Sequence, residues 1–169
     1  MTVERKTAPQ GPRSNAEALG HIFLLLSQSP IHRNWRVVEI ERNIIPALQH
    51  NQYRLYFDQN GRPFGYVSWA WLTKATEERY LAGGYAIEPK DWVGGDCPWF
   101  IDWVAPRGGT RYIVRDLKSL RDTMWRRIPP KAIRPNRAGK GQKVIQFGFF
   151  EDRKAAGWKP KLINEQLDQ

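Results

Sequence analysis

At 169 residues, with 41% hydrophobic and 26% charged residues and 8 Trp, 6 Tyr and 7 Phe, the chain can bury a substantial core as one domain and is neither disordered nor collagen-like. Its longest apolar run, Ile22 to Leu26, is far short of the roughly 20 residues of a membrane span; the N-terminus lacks a signal-peptide apolar region, and the single cysteine, Cys97, excludes an internal disulfide or a multi-cysteine metal site, so a cytoplasmic protein is expected. The formal charge of +10 is concentrated between Arg111 and Lys143, where 11 Lys or Arg stand against Asp116 and Asp122 alone, a field suited to nucleic acid, anionic lipid or an acidic protein, or else to solubility.

Residues 1–13 read as a flexible arm, because Pro9, Gly11 and Pro12 break any period. Ser14 and Glu17 have capping-box spacing, and Ala16, Leu19, Ile22, Phe23 and Leu26 recur at helical intervals, which predicts a helix over about 15–27. Ser29-Pro30 joins an N-cap residue to the residue best suited to open a helix, predicting a short second helix with His32 in its first turn. Residues 43–50 read as a further helical piece limited by Pro46. From Gln52 the period becomes two. Strands over about 52–58 and 63–71 face each other across Asn60-Gly61, with Val67, Trp69 and Trp71 on one face of the second and Tyr66, Ser68 and Ala70 on the other, both faces covered.

A short helix over 74–82 ends at Gly83-Gly84, and Trp99 to Ala105 is an apolar strand broken only by Asp102. The turn Pro106-Arg107-Gly108-Gly109-Thr110 leads into a helix over 111–127, with Ile113, Leu117, Leu120 and Met124 inward and Arg115, Lys118, Arg121, Arg126 and Arg127 elsewhere. Strand candidates 132–134 and 143–150 follow Pro129-Pro130. These elements make an α+β domain over 14–150, a mixed sheet with helices packed on it, followed by a tail, 151–169, that is partly helical at most.

Three features could carry chemistry. Asp102 lies within WFIDWVAP, where an ionised carboxylate needs a partner, unless it points to the solvated face of an edge strand. His32, at a helix start, would be held neutral by the N-terminal partial positive charge and so be able to accept a proton near pH 7; a lone histidine is otherwise commonly structural, as His21 and His50 read here. The PRGGT turn before a helix suits an anion or a pantetheine amide, although tight turning alone also explains its glycines. No HExxH, paired His/Cys cluster or Walker sequence is present, so neither a metal site nor nucleotide hydrolysis is expected.

Four blocks in order, LGHIFLLLSQSPIHRNW (19–35), NIIPALQHNQY (43–53), PFGYVSWAWL (63–72) and DWVGGDCPWFIDWVAP (91–106), closely resemble the RTX toxin-activating lysine acyltransferases, and the resemblance covers about residues 16–150. It implies a GNAT-like, mostly antiparallel fold, an acyl-acyl carrier protein as donor with no permanently bound cofactor, internal lysines of an RTX protoxin in the same cytoplasm as acceptors, and a homodimer. It further implies that His32 and Asp102 are catalytic and that Ser29 and Asn43 support them. The basic stretch then has a use: Arg107, Gly108, Gly109, Arg115, Lys118 and Arg121 would meet the acidic carrier or its pantetheine arm, and Trp69, Trp71, Trp99 and Trp103 are candidates for acyl-chain contact, with core packing the commoner role of such residues. The chain departs from the familiar pattern in an N-terminal extension of about nine residues and in a more basic segment over 107–143.

A lysine with its ordinary pKa near 10.4 is unprotonated in roughly one molecule of 2,500 at pH 7, so a site must offset about 4.6 kcal/mol. Neutral His32 can take that proton as the amine attacks the thioester, with Asp102 orienting the ring and stabilising its charged form; alternatively His32 itself accepts the acyl group first. Two other classes remain open at this level. A nucleic-acid-binding module would use the basic block with tryptophan stacking and leave His32 and Asp102 idle. An acetyl-CoA-dependent GNAT enzyme would need an R/Q-x-x-G-x-G/A pyrophosphate signature, which PRGGTR lacks.

Overall fold

A computed structural model of the chain describes residues 12–83, 86–135 and 142–148. The expected N-terminal arm lies almost entirely outside these, as do the tail and the end of the last expected strand. The strands are hydrogen-bonded in the order β1 (Tyr53–Phe57), β2 (Pro63–Leu72), β3 (Cys97–Val104), β4 (Lys131–Pro135) and β5 (Gln142–Gln146). Pairs β1–β2 and β4–β5 are antiparallel and β3–β4 is parallel, giving the expected α+β architecture with a mixed sheet. Among the described residues no helix is long and apolar enough to cross a membrane.

The chain divides into two compact units, one formed by residues up to Ser68 with Asp102–Ile113, the other by Trp69–Ile101 and residues from Val114 onward. In the first, helix α1 (Asn15–Leu26) starts where Ser14 Oγ accepts the Glu17 N–H at 3.1 Å. Its buried face is Ala18, Ile22, Leu25 and Leu26, while Phe23 stays 56% exposed. The expected stripe is therefore rotated: the run Ile22–Leu26 offers more apolar side chains than one helical face can bury, and packing selects among them. These residues meet Ile44 and Leu48, Tyr66 of β2 and Val104 of β3 in one core. Each fully buried aliphatic side chain there is worth about 1.5–3 kcal/mol.

The second expected helix does not form. Residues 30–34 are successive turns closed by His32 N–H and Arg33 N–H to the Ser29 carbonyl, and Arg36 is extended. Helices α2 (Val37–Asn43) and α3 (Ile45–Gln49) follow, separated at Ile44 because Pro46, lacking an N–H, can stand only at a helix start. The β1–β2 hairpin is present, but Asn60-Gly61 is not a two-residue turn: the Asp58 carboxylate accepts the Asn60 and Arg62 N–H groups at 2.8 and 2.9 Å, and only Gly61 of the pair has a positive φ.

In the second unit, helix α4 (Lys74–Leu81) carries Glu77, 1% exposed, which accepts from Trp99 Nε1 and Lys131 Nζ at 2.7 Å each and from Lys74 Nζ at 3.0 Å. Burial alone would raise its pKa, yet those donors outweigh burial and hold the carboxyl below its usual range. Helix α5 (Thr110–Ser119) begins in the first unit and ends in the second, well before the expected residue 127. The chain leaves it because Trp125, 1% exposed, packs on Trp69 and Phe100 and donates from Nε1 to the Leu117 carbonyl at 2.8 Å. Trp125 thus takes the core place expected for Leu120 and Met124, which are only partly buried.

Candidate functional site

The first unit gathers three residues singled out above. Ser29, His32 and Asp102 are 7%, 8% and 7% exposed. The i, i+3 spacing of Ser29 and His32 within a tight turn puts Ser29 Oγ 2.6 Å from His32 Nδ1, a hydrogen bond made by local chain geometry. On the other side of the ring, Nε2 lies 3.6 Å from Asp102 Oδ1, wider than a hydrogen bond and close enough for an ion pair. Trp35, three residues after His32, holds the imidazole edge-on at a centroid distance of 4.7 Å. Since no helix starts at Pro30, the expected helix-terminal field does not act on His32; its surroundings are set by Ser29, Asp102 and Trp35.

Asp102 does not face solvent from an edge strand. Strand β3 lies between β2 and β4, and the Asp102 N–H donates to Ser68 Oγ on β2 at 3.2 Å. Burial raises its carboxyl pKa, and the His32 interaction offsets this only in part. One carboxylate oxygen, Oδ2, is buried without a hydrogen-bond partner. A carboxylate held this way is a ready acceptor for a cationic or N–H-bearing group.

Asn43 stands apart. It closes α2 with Nδ2 donating to the Glu39 carbonyl at 2.9 Å, and among the described residues it makes no hydrogen bond to His32 or Asp102. In the PRGGT turn, Arg107 Nε donates to Gln28 Oε1 at 2.7 Å, and Gly108 and Gly109 both have φ of +87°. A Cβ on Gly109 would sit 2.7 Å from the Phe64 ring, so close approach as well as turning requires that glycine. Arg115 and Lys118 lie one turn apart on α5. Arg121 was expected on the same helix but falls beyond its end, with its side chain 20% exposed and 3.9 Å from Asp122. Of the four tryptophans considered for acyl contact, Trp69 and Trp99 are core residues, at 5% and 0% exposure, whereas Trp71 and Trp103 are partly exposed.

The sequence reading missed Ser68 and Tyr66. Its own logic for Asp102 applied to them: a small polar residue and a phenol inside GYVSWAWL, a strand covered on both faces, need internal partners. Together the buried turn and strand residues set an imidazole, a group able to take up a proton near neutral pH, between a hydroxyl and a carboxylate.

The sequence model describing the RTX toxin acyltransferase family matches residues 12–148. The chain is 38% identical over 150 residues to the leukotoxin-activating lysine-acyltransferase LktC of a Pasteurella haemolytica-like species, covering 88% of each chain. It is 40% identical over 118 residues to the protein-lysine myristoyltransferase HlyC of Escherichia coli, covering 68% of this chain and 69% of that one. With the protein-lysine myristoyltransferase RtxC of Kingella kingae the identity is 37% over 119 residues, 70% of this chain and 71% of the relative.

Proposed function

This chain belongs to the RTX toxin acyltransferase family, and from that premise we propose that it moves a fatty acyl group from acyl-acyl carrier protein to internal lysines of an RTX protoxin, with His32 as general base and Asp102 as its charge partner. The observation that carries the reading is the buried series Ser29 Oγ, His32 Nδ1, His32 Nε2 and Asp102 Oδ1, at 2.6 and 3.6 Å. Donation from Nδ1–H to Ser29 leaves Nε2 unprotonated. Nε2 and the carboxylate are then two acceptors 3.6 Å apart, and an amine nitrogen to one side of the pair can lie within about 3 Å of each. The substrate amine gives one proton to Nε2 and a hydrogen bond to Asp102 as it attacks the thioester carbonyl; the imidazolium that results is stabilised by the carboxylate and passes its proton to the carrier thiolate as the C–S bond breaks, so that the carrier leaves as the thiol.

On this reading the domain is GNAT-like over 14–150 and works in the cytoplasm as a homodimer without a permanent cofactor. Arg107, Arg115 and Lys118 meet the acidic carrier, and the glycines at 108 and 109 admit its pantetheine arm, with Asn43 supporting the site through α2. The charge pattern supports steering that weakens with salt.

The deciding experiment is coexpression with a glycine- and aspartate-repeat toxin, followed by mass spectrometry of its lysines. Acyl additions are expected with the parent chain and absent with His32→Ala. Unmodified lysines with the parent, or full modification by the His32→Ala protein, would refute the assignment. Rapid quench with labelled acyl carrier and no acceptor then separates direct transfer from an acyl-histidine route, since only the second labels the enzyme.

A further inference from the structure

Behind the His32–Asp102 contact the first unit holds a second polar layer. Tyr66 and Ser68, two apart on β2, share a strand face and are both 0% exposed. Ser68 Oγ accepts the Asp102 N–H at 3.2 Å, and Tyr66 shares a core with Val104, which follows Asp102 by two residues on the same face of β3. Two oxygens in this layer are buried with no hydrogen-bond partner, Tyr66 Oη and Asp102 Oδ2. A buried phenol that has the Ser68 hydroxyl near it but no completed hydrogen bond is costly, and packing does not require it, because phenylalanine would fill the same volume. Burial first, and the Asp102 charge second, push the Tyr66 ionisation well above its ordinary value, with Ser68 acting the other way, so the group is a proton donor at any pH near neutrality.

We propose that Tyr66 is a positioning residue for acyl transfer: its phenolic O–H supplies the hydrogen bond that Asp102 Oδ2 lacks, keeping the carboxylate ionised and its other oxygen turned to His32. The titratable groups around Asp102 are His32 from the turn after α1 and Tyr66 from β2, with Tyr53 of β1 behind Tyr66 at a ring distance of 6.4 Å. The proposal rests on the role given to Asp102 above, yet the position of its proton can be read without turnover.

The test is Tyr66→Phe, with the Asp102 carboxyl followed by carbon-13 NMR and assigned by its loss in Asp102→Asn. Removing a donor from a carboxylate favours the protonated form, so the Asp102 midpoint rises by about one pH unit. The kcat for lysine acylation falls by about tenfold near neutral pH while KM for the acceptor stays within about twofold. A fluorinated tyrosine at position 66, a stronger donor of nearly the same size, moves the midpoint downward and decides the matter if the phenylalanine variant does not fold. A midpoint that stays put in both variants overturns the proposal. Should neither parent nor variants acylate lysine, the functional reading fails, and the carboxyl titration still decides whether Tyr66 holds Asp102.

Discussion

Replacing Asp102 with asparagine separates what the carboxylate gives to catalysis from what it costs the fold. Its side chain is 8% exposed and 3.6 Å from His32 Nε2. At that separation and an effective dielectric of about 20, carboxylate and imidazolium attract by about 4.6 kcal/mol. The figure matches the roughly 4.6 kcal/mol needed to take a proton from a lysine at pH 7. It is a ceiling, because burial disfavours the charged carboxylate and raises its pKa despite the histidine. Asparagine keeps the shape and removes the charge, so with half to two-thirds of the attraction realised kcat falls by about 50- to 200-fold. Stability moves the other way. The folded carboxyl titrates above its unfolded value, so the folded state holds the proton more tightly; the stability this brings is complete below the unfolded pKa and is lost as pH rises through the folded pKa. At pH 7 the parent therefore carries the full burial penalty and Asp102→Asn has the higher Tm, a gain that shrinks near pH 3. Single-turnover transfer from acyl carrier protein to a lysine peptide, followed by mass spectrometry, reads the first effect, and calorimetry at the two pH values reads the second. A kcat within about threefold of the parent, or an asparagine protein that is less stable at pH 7, would refute the reasoning.

Ser29→Ala removes the 2.6 Å bond that orients the imidazole and should lower kcat by about tenfold, with the Asp102 carboxyl still titrating, as steady-state kinetics beside carbon-13 NMR will register. Glu77→Gln keeps an acceptor for Trp99 but loses the charge facing Lys131 and Lys74, which are 31% and 70% exposed, so urea unfolding at pH 7 should report a loss of about 1–2 kcal/mol. Because the folded Glu77 carboxyl titrates below its unfolded value, its contribution is present above the unfolded pKa and is lost as pH falls through the folded one; parent and Gln protein should converge on acidification. Gly109→Ala combines a φ of +87° with a Cβ 2.7 Å from Phe64; Tm should fall by an amount equivalent to about 1–3 kcal/mol, and KM for the acyl carrier should rise.

Local chemistry was legible where short-range geometry decides. The Ser14 cap, the strand alternation through Tyr66 and Trp71, and the buried strand around Asp102 all follow from neighbours a few positions apart. So does the approach of Ser29 to His32, since an i, i+3 pair in a turn meets whatever the rest of the chain does. Other features depended on partners distant in sequence. Which face of α1 is buried and where α5 ends were not legible because each is settled by competition for a shared core, in which Leu25 displaces Phe23 and Trp125 displaces Met124. The placement of Asp102 against a histidine seventy positions earlier, and of Tyr66 and Ser68 behind it, has the same origin. Residue types told which groups could donate, accept or carry charge; only the packed strands decided which of them share the low-dielectric space where such charges act strongly on one another.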